Sequence, residues 1–529
     1  MRLILLLVAA LFVTGPAHAR WHEAQSQHFV IYANDRPQDV QAFAEMLEKY
    51  HAALQYLSGR PAAPVSPSNR VVIFAVGSER HMERMADGNP FVAGFYIPRA
   101  GGSRAYVQNI ALRRDRVDFS VKVLLHEYAH HFLMAQSRFD MPRWMSEGAA
   151  EFYASALFPD SGHVSLGRPA AHRAQEILEA PNIPIRHLID DGRSGTKPRN
   201  LMIGFYGQSW LMYHYLMFAP ERQGQLDAYA RHLMAGTPSV KAAEAAFGDL
   251  DALDKELTRY ARAPRMMSVN LSPERLGPIP AVRVSPLAEG HAAAMPLIMR
   301  SQRGVSKREA PGLAASLRRI AERYPQDAQV FAALAEAEFD AGNDAAAIAA
   351  ADKAIALDPS IANAYVQKGY ALFRQARDAG DKDAAYAAAM APFTQLNRLE
   401  NDHPLPLIYY HRSFSERGAP LTERARHALE RAGELAPFDR SLWLDIGLMQ
   451  AEEGKRDMAV ASLASVAYSP HPDLSSKQAQ AIIDAINAAG DGALPDLRAL
   501  MTSVAQAEKD EKASDDRARS AHRRARHPN

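Results

Sequence analysis

Cysteine is missing from all 529 residues. The chain therefore has no disulfide and no N-terminal cysteine to carry a lipid. A dominant sign of charge is missing too: 61 Lys and Arg stand against 60 Asp and Glu, a formal net charge of +1. That balance leaves no electrostatic footprint for nucleic acid. Beyond the N-terminus there is no apolar run long enough to span a membrane. Residues 201–218 come nearest, but Gln208, His214 and two glycines interrupt them. At the N-terminus, Arg2, the apolar residues 3–13 and Ala17-His18-Ala19 have the three parts of a signal peptide. Residues 1–19 are expected to be removed, leaving a periplasmic or secreted chain that starts at Arg20. The case for export rests on that segment and not on cysteine usage.

What is present begins with His126-Glu127-Tyr128-Ala129-His130. Two histidines four positions apart share one face of an α-helix, so both imidazoles can reach one metal ion. The glutamate beside the first is placed to handle the proton of a metal-bound water. This is the HExxH spacing of zinc peptidases. Phe119, Val121, Leu124, Leu125, Tyr128, Phe132 and Leu133 recur at helical spacing around it, and Asp118 is the expected N-cap. His131 points away from the line joining His126 and His130 and reads as a residue behind the site or on the surface.

A third ligand must come from another segment. A histidine six positions after His130 would mark a metzincin, but Gln136 stands there. Glu147 and Glu151, one helical turn apart in Arg143-Trp144-Met145-Ser146-Glu147-Gly148-Ala149-Ala150-Glu151, are the better candidates. Glu147 is assigned to the metal and Glu151 to a supporting hydrogen bond on a ligating histidine.

HExxH followed by W-x-x-E-G-x-x-E resembles the gluzincin, or peptidase MA-like, metallopeptidases, and within them the bacterial DUF1570 proteins. Phe205-Tyr206-Gly207-Gln208-Ser209-Trp210 resembles the Y-x-Q-S segment of the same proteins. The resemblance covers about residues 20–260. It implies one Zn2+ held by His126, His130 and Glu147, Glu127 as general base, and Glu151 behind the ligands. It also implies a sheet edge that pairs with substrate backbone, a role assigned to Arg104–Val107. The G-x-M-E-N motif of the aminopeptidase branch does not occur upstream of His126, so the expectation is an endopeptidase acting on peptide or protein substrates. Tyr206 has two readings. Its phenol can donate to the oxyanion formed during peptide attack, or it packs in a helix rich in core aromatics. His214 has only sequence proximity to recommend it as a donor.

A chain of this length calls for two or three domains. Residues 20–262 are expected to form an α+β metallopeptidase domain, a small sheet packed on the HExxH helix and followed by further helices. Its elements are strands at 29–32, 71–76, 93–97 and 104–107 and helices at 37–57 and 78–85. Prolines recur through 263–308 with little periodicity, as in a linker outside either core. Pro325, Pro359, Pro404, Pro437 and Pro470 then follow at steps of 34, 45, 33 and 33. That is the tetratricopeptide period, with Trp443-Leu444-Asp445-Ile446-Gly447 matching a first-helix start. Residues 309–505 are expected to be an all-α solenoid, with the longer step absorbed by an insertion near 377–388. Such a solenoid either binds a protein partner on its concave face or serves as a rigid cover. Residues 506–529 read as a charged, disordered tail. Two functions fit the whole: a zinc-dependent endopeptidase with helical repeats, or a secreted tetratricopeptide scaffold with a catalytically inactive peptidase-like head.

Overall fold

The computed structural model describes residues 21–59, 65–112, 117–136, 141–190, 203–469 and 473–526. The expected signal peptide lies outside the described residues.

The fold is organised by three strands that are apolar on both faces. β1 (His22–Gln25), β2 (Phe29–Ala33), β3 (Val71–Ala75), β4 (Gly94–Ile97) and β5 (Arg104–Val107) join a late strand, β8 (Arg283–Pro286), in one sheet ordered β4-β5-β3-β2-β1-β8. β2, β3 and β5 run parallel in the middle; β4, β1 and β8 are antiparallel to their neighbours. Alternation along β2 and β3 decides what each face covers. Phe29, Ile31, Val71 and Ile73 join a core with the helices Pro37–Ser58 and Phe119–Gln136. Phe74 and Tyr106 point the other way, into a second core with Met295, Ile298 and Leu313. A central sheet buried on both faces needs continuous apolar runs, as these sequences supply.

That second core corrects the expected linker. Within residues 263–308, β7 (Val269–Leu271) pairs with β6 (Val164–Leu166), and β8 extends the main sheet beside β1. Helix Glu289–Arg303 lays Ala294, Met295, Ile298 and Met299 on the back of the sheet, and Tyr106 Oη donates to the Met299 carbonyl at 2.9 Å. The prolines that suggested a linker sit where ladders and helices tolerate them. Pro286 ends the outermost strand and Pro273 opens a one-turn helix.

The sheet edge next to the motif helix is also corrected. β5 is flanked on both sides, by β4 and β3, so Arg104–Val107 has no free edge. The free edge belongs to β4, Gly94–Ile97. Among the helices, Asp118 caps the motif helix as expected, its Oδ1 accepting from Ser120 N at 3.0 Å.

From Ala310 onward the chain is a tetratricopeptide-like helical solenoid: ten helices of 12 to 18 residues, each packed on its chain neighbours, with a final helix (Leu497–Arg526) behind them. Pro325, Pro359 and Pro437 follow helix ends directly, whereas Pro404 opens a helix instead of closing one. Pro470 lies outside the described residues. The longer repeat step becomes an 18-residue helix, Lys382–Leu399, after a short connection. Gly369 and Gly447 sit where the helices approach most closely, against the ring of Phe393 and the side chain of Leu463. Where a disordered tail is expected from 506 onward, the last helix continues to Arg526. Its opposite charges are interleaved and find partners: Lys477 pairs with Glu508 and Glu511, and Lys512 with Glu508.

The solenoid returns to the head at a second place. Glu400 accepts from Ser68 N at 3.0 Å, Asn69 Nδ2 donates to the Leu435 carbonyl at 2.7 Å, and Asp439 accepts from Ala100 N at 2.8 Å. The Phe438 ring rests 4.5 Å from that of His131, directly after the HExxH residues.

Candidate metal centre

Two helices place the candidate ligands. The motif helix supplies His126 and His130, and helix Arg143–Ala154 supplies Glu147 and Glu151. The second helix also lies tight against helix Phe205–Phe218. A Cβ on Gly148 would collide with the Ser209 carbonyl oxygen, which accounts for glycine between the two glutamates.

His126 Nε2 and His130 Nε2 are 3.1 Å apart, and Glu147 Oε2 lies 3.2 Å from the first and 3.3 Å from the second. Ligand atoms that each stand about 2.0–2.1 Å from one tetrahedral zinc lie roughly 3.3 Å from each other. No other set of three such side chains converges this way among the described residues. His126 and His130 are 8% and 4% exposed and Glu147 is 0% exposed. A carboxylate taken fully out of water needs a cation. Here the histidines act as one. Burial alone would raise the Glu147 carboxyl, but His130 and His126 hold it far below the usual carboxylate range. Burial opposes a proton on His126, yet Glu147 and Glu151 more than offset it and push its pKa up to about 10. The proton stands where a divalent cation fits, and two imidazoles with a carboxylate form a donor set suited to zinc.

The supporting hydrogen bonds run outward from the cluster. His126 Nδ1 is 3.4 Å from Glu151 Oε1, and His130 Nδ1 is 3.2 Å from Ser146 Oγ. Glu151 is gripped in turn by Arg173, at 2.6 Å and 3.0 Å, and by His172 Nε2 at 2.7 Å. Ser146, His172 and Arg173 carry no assigned role in the sequence pattern. Ser146 could have been found, because it adjoins Glu147. His172 and Arg173 lie more than twenty residues downstream with no periodicity to flag them.

Glu127 is half-buried and makes no hydrogen bond or ion pair among the described residues. Its field adds to the burial that keeps the Tyr96 phenol neutral, which places it on the β4 side of the cluster. Tyr206 is also half-buried. Its ring is 6.3 Å from that of His126 and lies under the Arg173 guanidinium. Burial and the Glu147 charge raise its phenol, against a hydrogen bond with Arg143. It lines the cluster, while Trp210 and Met212 of the same helix go to the core. His214 is fully buried elsewhere, held by the carbonyls of Gly167 and Met267 and by Tyr260. His131 is buried and not on the surface: Nδ1 is 2.6 Å from Tyr96 Oη.

No family model matches the chain, and no curated protein matches it either. Among solved structures it is similar to MamA (22% identity over 30% of this chain and 85% of that one, TM-score 0.24). It is also similar to TTC0263, a tetratricopeptide protein of Thermus thermophilus (16% identity, 40% and 98%, TM-score 0.31). A third similarity is to yeast Tom70 (13% identity, 71% and 76%, TM-score 0.27). Likenesses this low carry no argument about function; the solenoid is read from its own helix pairing.

Proposed function

We propose that the protein is a zinc-dependent peptidase, exported to the periplasm or beyond, whose helical repeats bind a protein or hold the head in place. The observation that carries this reading is the convergence of three buried side chains, with His126 Nε2, His130 Nε2 and Glu147 Oε2 3.1–3.3 Å apart. A zinc ion bound there supplies Lewis acidity to the scissile carbonyl and acidifies a water. Glu127, next to His126 in sequence and without a hydrogen-bond or ion-pair partner among the described residues, takes the proton of the attacking water and delivers it to the leaving amine. Tyr206 donates from its phenol to the oxyanion. Glu151, clamped by Arg173 and His172, would fix the His126 ring through Nδ1 and keep Nε2 beside His130 and Glu147. The free edge of β4 pairs with an extended substrate backbone, which suits an endopeptidase.

The second reading is a repeat scaffold with an inactive peptidase-like head. It is favoured by the size of the solenoid and by its two attachments to the head, which make the head part of one larger structure. Turnover of a broad peptide library by the full-length protein, with and without a chelator, separates the two. Chelator-sensitive cleavage supports the peptidase. A folded, zinc-loaded protein with no turnover supports the scaffold.

A further inference from the structure

Between the back of the sheet and the inner faces of the repeats lies a cavity of about 670 Å³, remote in sequence from every residue of the metal centre. Its volume falls within the roughly 300–1,000 Å³ of small-molecule sites. The two walls carry mostly opposite charge, the exception being Glu23 of the head, which accepts from Tyr32 Oη at 2.8 Å. Arg99 and Arg104, at the β4–β5 hairpin, face it from the head. Glu336 and Asp340, one turn apart on helix Ala328–Asp340, face it from the repeats. The fields of these groups reach each other, yet none of the four is in a salt bridge among the described residues. Polar side chains fill the gap only in part. Arg104 Nε donates to Gln302 Oε1 at 2.6 Å and Arg99 to the Gln302 carbonyl at 3.2 Å, while Glu336 Oε2 accepts from Asn363 Nδ2 at 3.0 Å and Asp340 from Ser301 Oγ at 3.2 Å; every partner is neutral. Gln367 donates to Asn363 at 3.0 Å, but its own Oε1 is buried without a hydrogen-bond partner.

Arg104, Glu336 and Asp340 are half-buried and Arg99 is exposed, so three of the four charges are partly withdrawn from water without an opposite charge in contact, which is costly. Burial raises both carboxylates, Asp340 up to about 6, and lowers Arg104. Simple stability would have paired them or replaced them with apolar residues. A ligand with one negative and one positive end, a few ångströms apart, relieves both walls at once. We propose that this cavity binds a small zwitterion, a free amino acid or short peptide, with its carboxylate at Arg99 and Arg104 and its ammonium at Glu336 and Asp340. The Gln367 amide oxygen accepts a further N–H from the ligand. Both guanidiniums belong to the β4–β5 hairpin, whose β4 strand lies against the motif helix.

The test is calorimetric titration of the full-length zinc-loaded protein carrying Glu127→Gln, with dialanine, free alanine, N-acetyl-dialanine and dialanine amide. Saturable binding of dialanine or alanine is expected, and the stronger of the two identifies the source. Blocking either end should weaken binding roughly tenfold or more, the effect of losing one charge-assisted contact. Glu336→Gln and Arg99→Gln should each do the same, while Glu336→Gln leaves the melting temperature unchanged or higher, because the amide keeps the Asn363 contact and removes a buried charge. No saturable binding, equal binding of the blocked peptides, or undiminished binding in Glu336→Gln would overturn the proposal. So would loss of binding in a folded Glu147→Ala variant with retention in Glu336→Gln, which would place the ligand at the metal centre. Turnover is not read, so an inactive enzyme leaves this inference standing, and a failed titration leaves the peptidase reading standing.

Discussion

The head and the solenoid bury their cores by different means, and the difference explains where the chemistry is. In the solenoid each helix packs on its chain neighbours, with small residues such as Ala347, Ala351 and Ala354 and large ones such as Phe373, Tyr386 and Phe393 buried between adjacent helices. In the head, residues far apart in sequence meet. β2 pairs with β3 across the helix Pro37–Ser58, and Glu147 reaches two histidines on another helix. Converging ligand atoms require that kind of long-range meeting. Where the head closes over the solenoid, polar groups of the repeats gather around a cavity.

The sharpest break of this comparison is to separate the two halves. Cutting after Arg262 removes β7, β8 and helix Glu289–Arg303, and uncovers Phe74 and Tyr106 on the back of the sheet. Each large apolar side chain left bare forfeits roughly 1.5–3 kcal/mol, and a few of them exhaust the stability of a domain, about 5–15 kcal/mol. Residues 20–262 alone should be insoluble or molten by circular dichroism. A cooperative melt from that fragment would show that the head does not need its cover.

Single substitutions at the centre come next. His126→Ala, His130→Ala and Glu147→Ala should each abolish zinc retention, read by metal analysis. Arg173→Gln, which loosens the clamp on Glu151, should weaken zinc binding by roughly 10–100-fold. If Glu151→Ala loses zinc outright while Glu147→Ala keeps it, the two acids have been assigned in reverse.

The glycines sharpen the contrast further. Gly148→Ala drives a methyl into the Ser209 backbone, which cannot move without shifting a helix. Gly369→Ala meets only the Phe393 ring. Overpacking costs about 1–3 kcal/mol, so the head variant should sit at or above that range and the repeat variant at its lower end. Equal losses in thermal melts would show that the repeats are packed as rigidly as the head.

Acid should cost both halves alike. His51 in the head has its pKa lowered to about 2 by burial, aided by His28 and His131, and His403 and His411 in the repeats are lowered to about 4, first by burial. Unfolded histidine takes a proton near pH 6.5. Below that pH the unfolded chain binds more protons than the folded one, so stability falls as pH drops from about 6.5 toward each folded value. The slope is roughly 1.4 kcal/mol per pH unit for each such histidine. Melting temperatures from pH 7 to pH 5 in wild type, His51→Gln and His411→Gln check this; an unchanged acid slope in both variants would contradict it.

Much of this was legible in the sequence, for physical reasons. The convergence of His126, His130 and Glu147 is foreshadowed because helical spacing is local, and the repeat prolines stand out because most of them punctuate helices. β8 was missed because an outermost strand tolerates proline and needs only one apolar face. The β4 edge was missed because strand order is set by long-range pairing that no local pattern records. The grip of Arg173 and His172 on Glu151 has the same cause: each is an ordinary surface-type residue until the fold brings it to a buried carboxylate.

The central claim is that His126, His130 and Glu147 hold one metal ion for a reaction in which Glu127 moves the proton. Zinc content and peptide turnover, measured together on wild type and Glu127→Gln, test it most directly. The account expects about one zinc per chain in both proteins, from three protein ligands around a single ion, and turnover in wild type only. Undiminished turnover in Glu127→Gln, or no zinc in either protein after purification with zinc present, would contradict it.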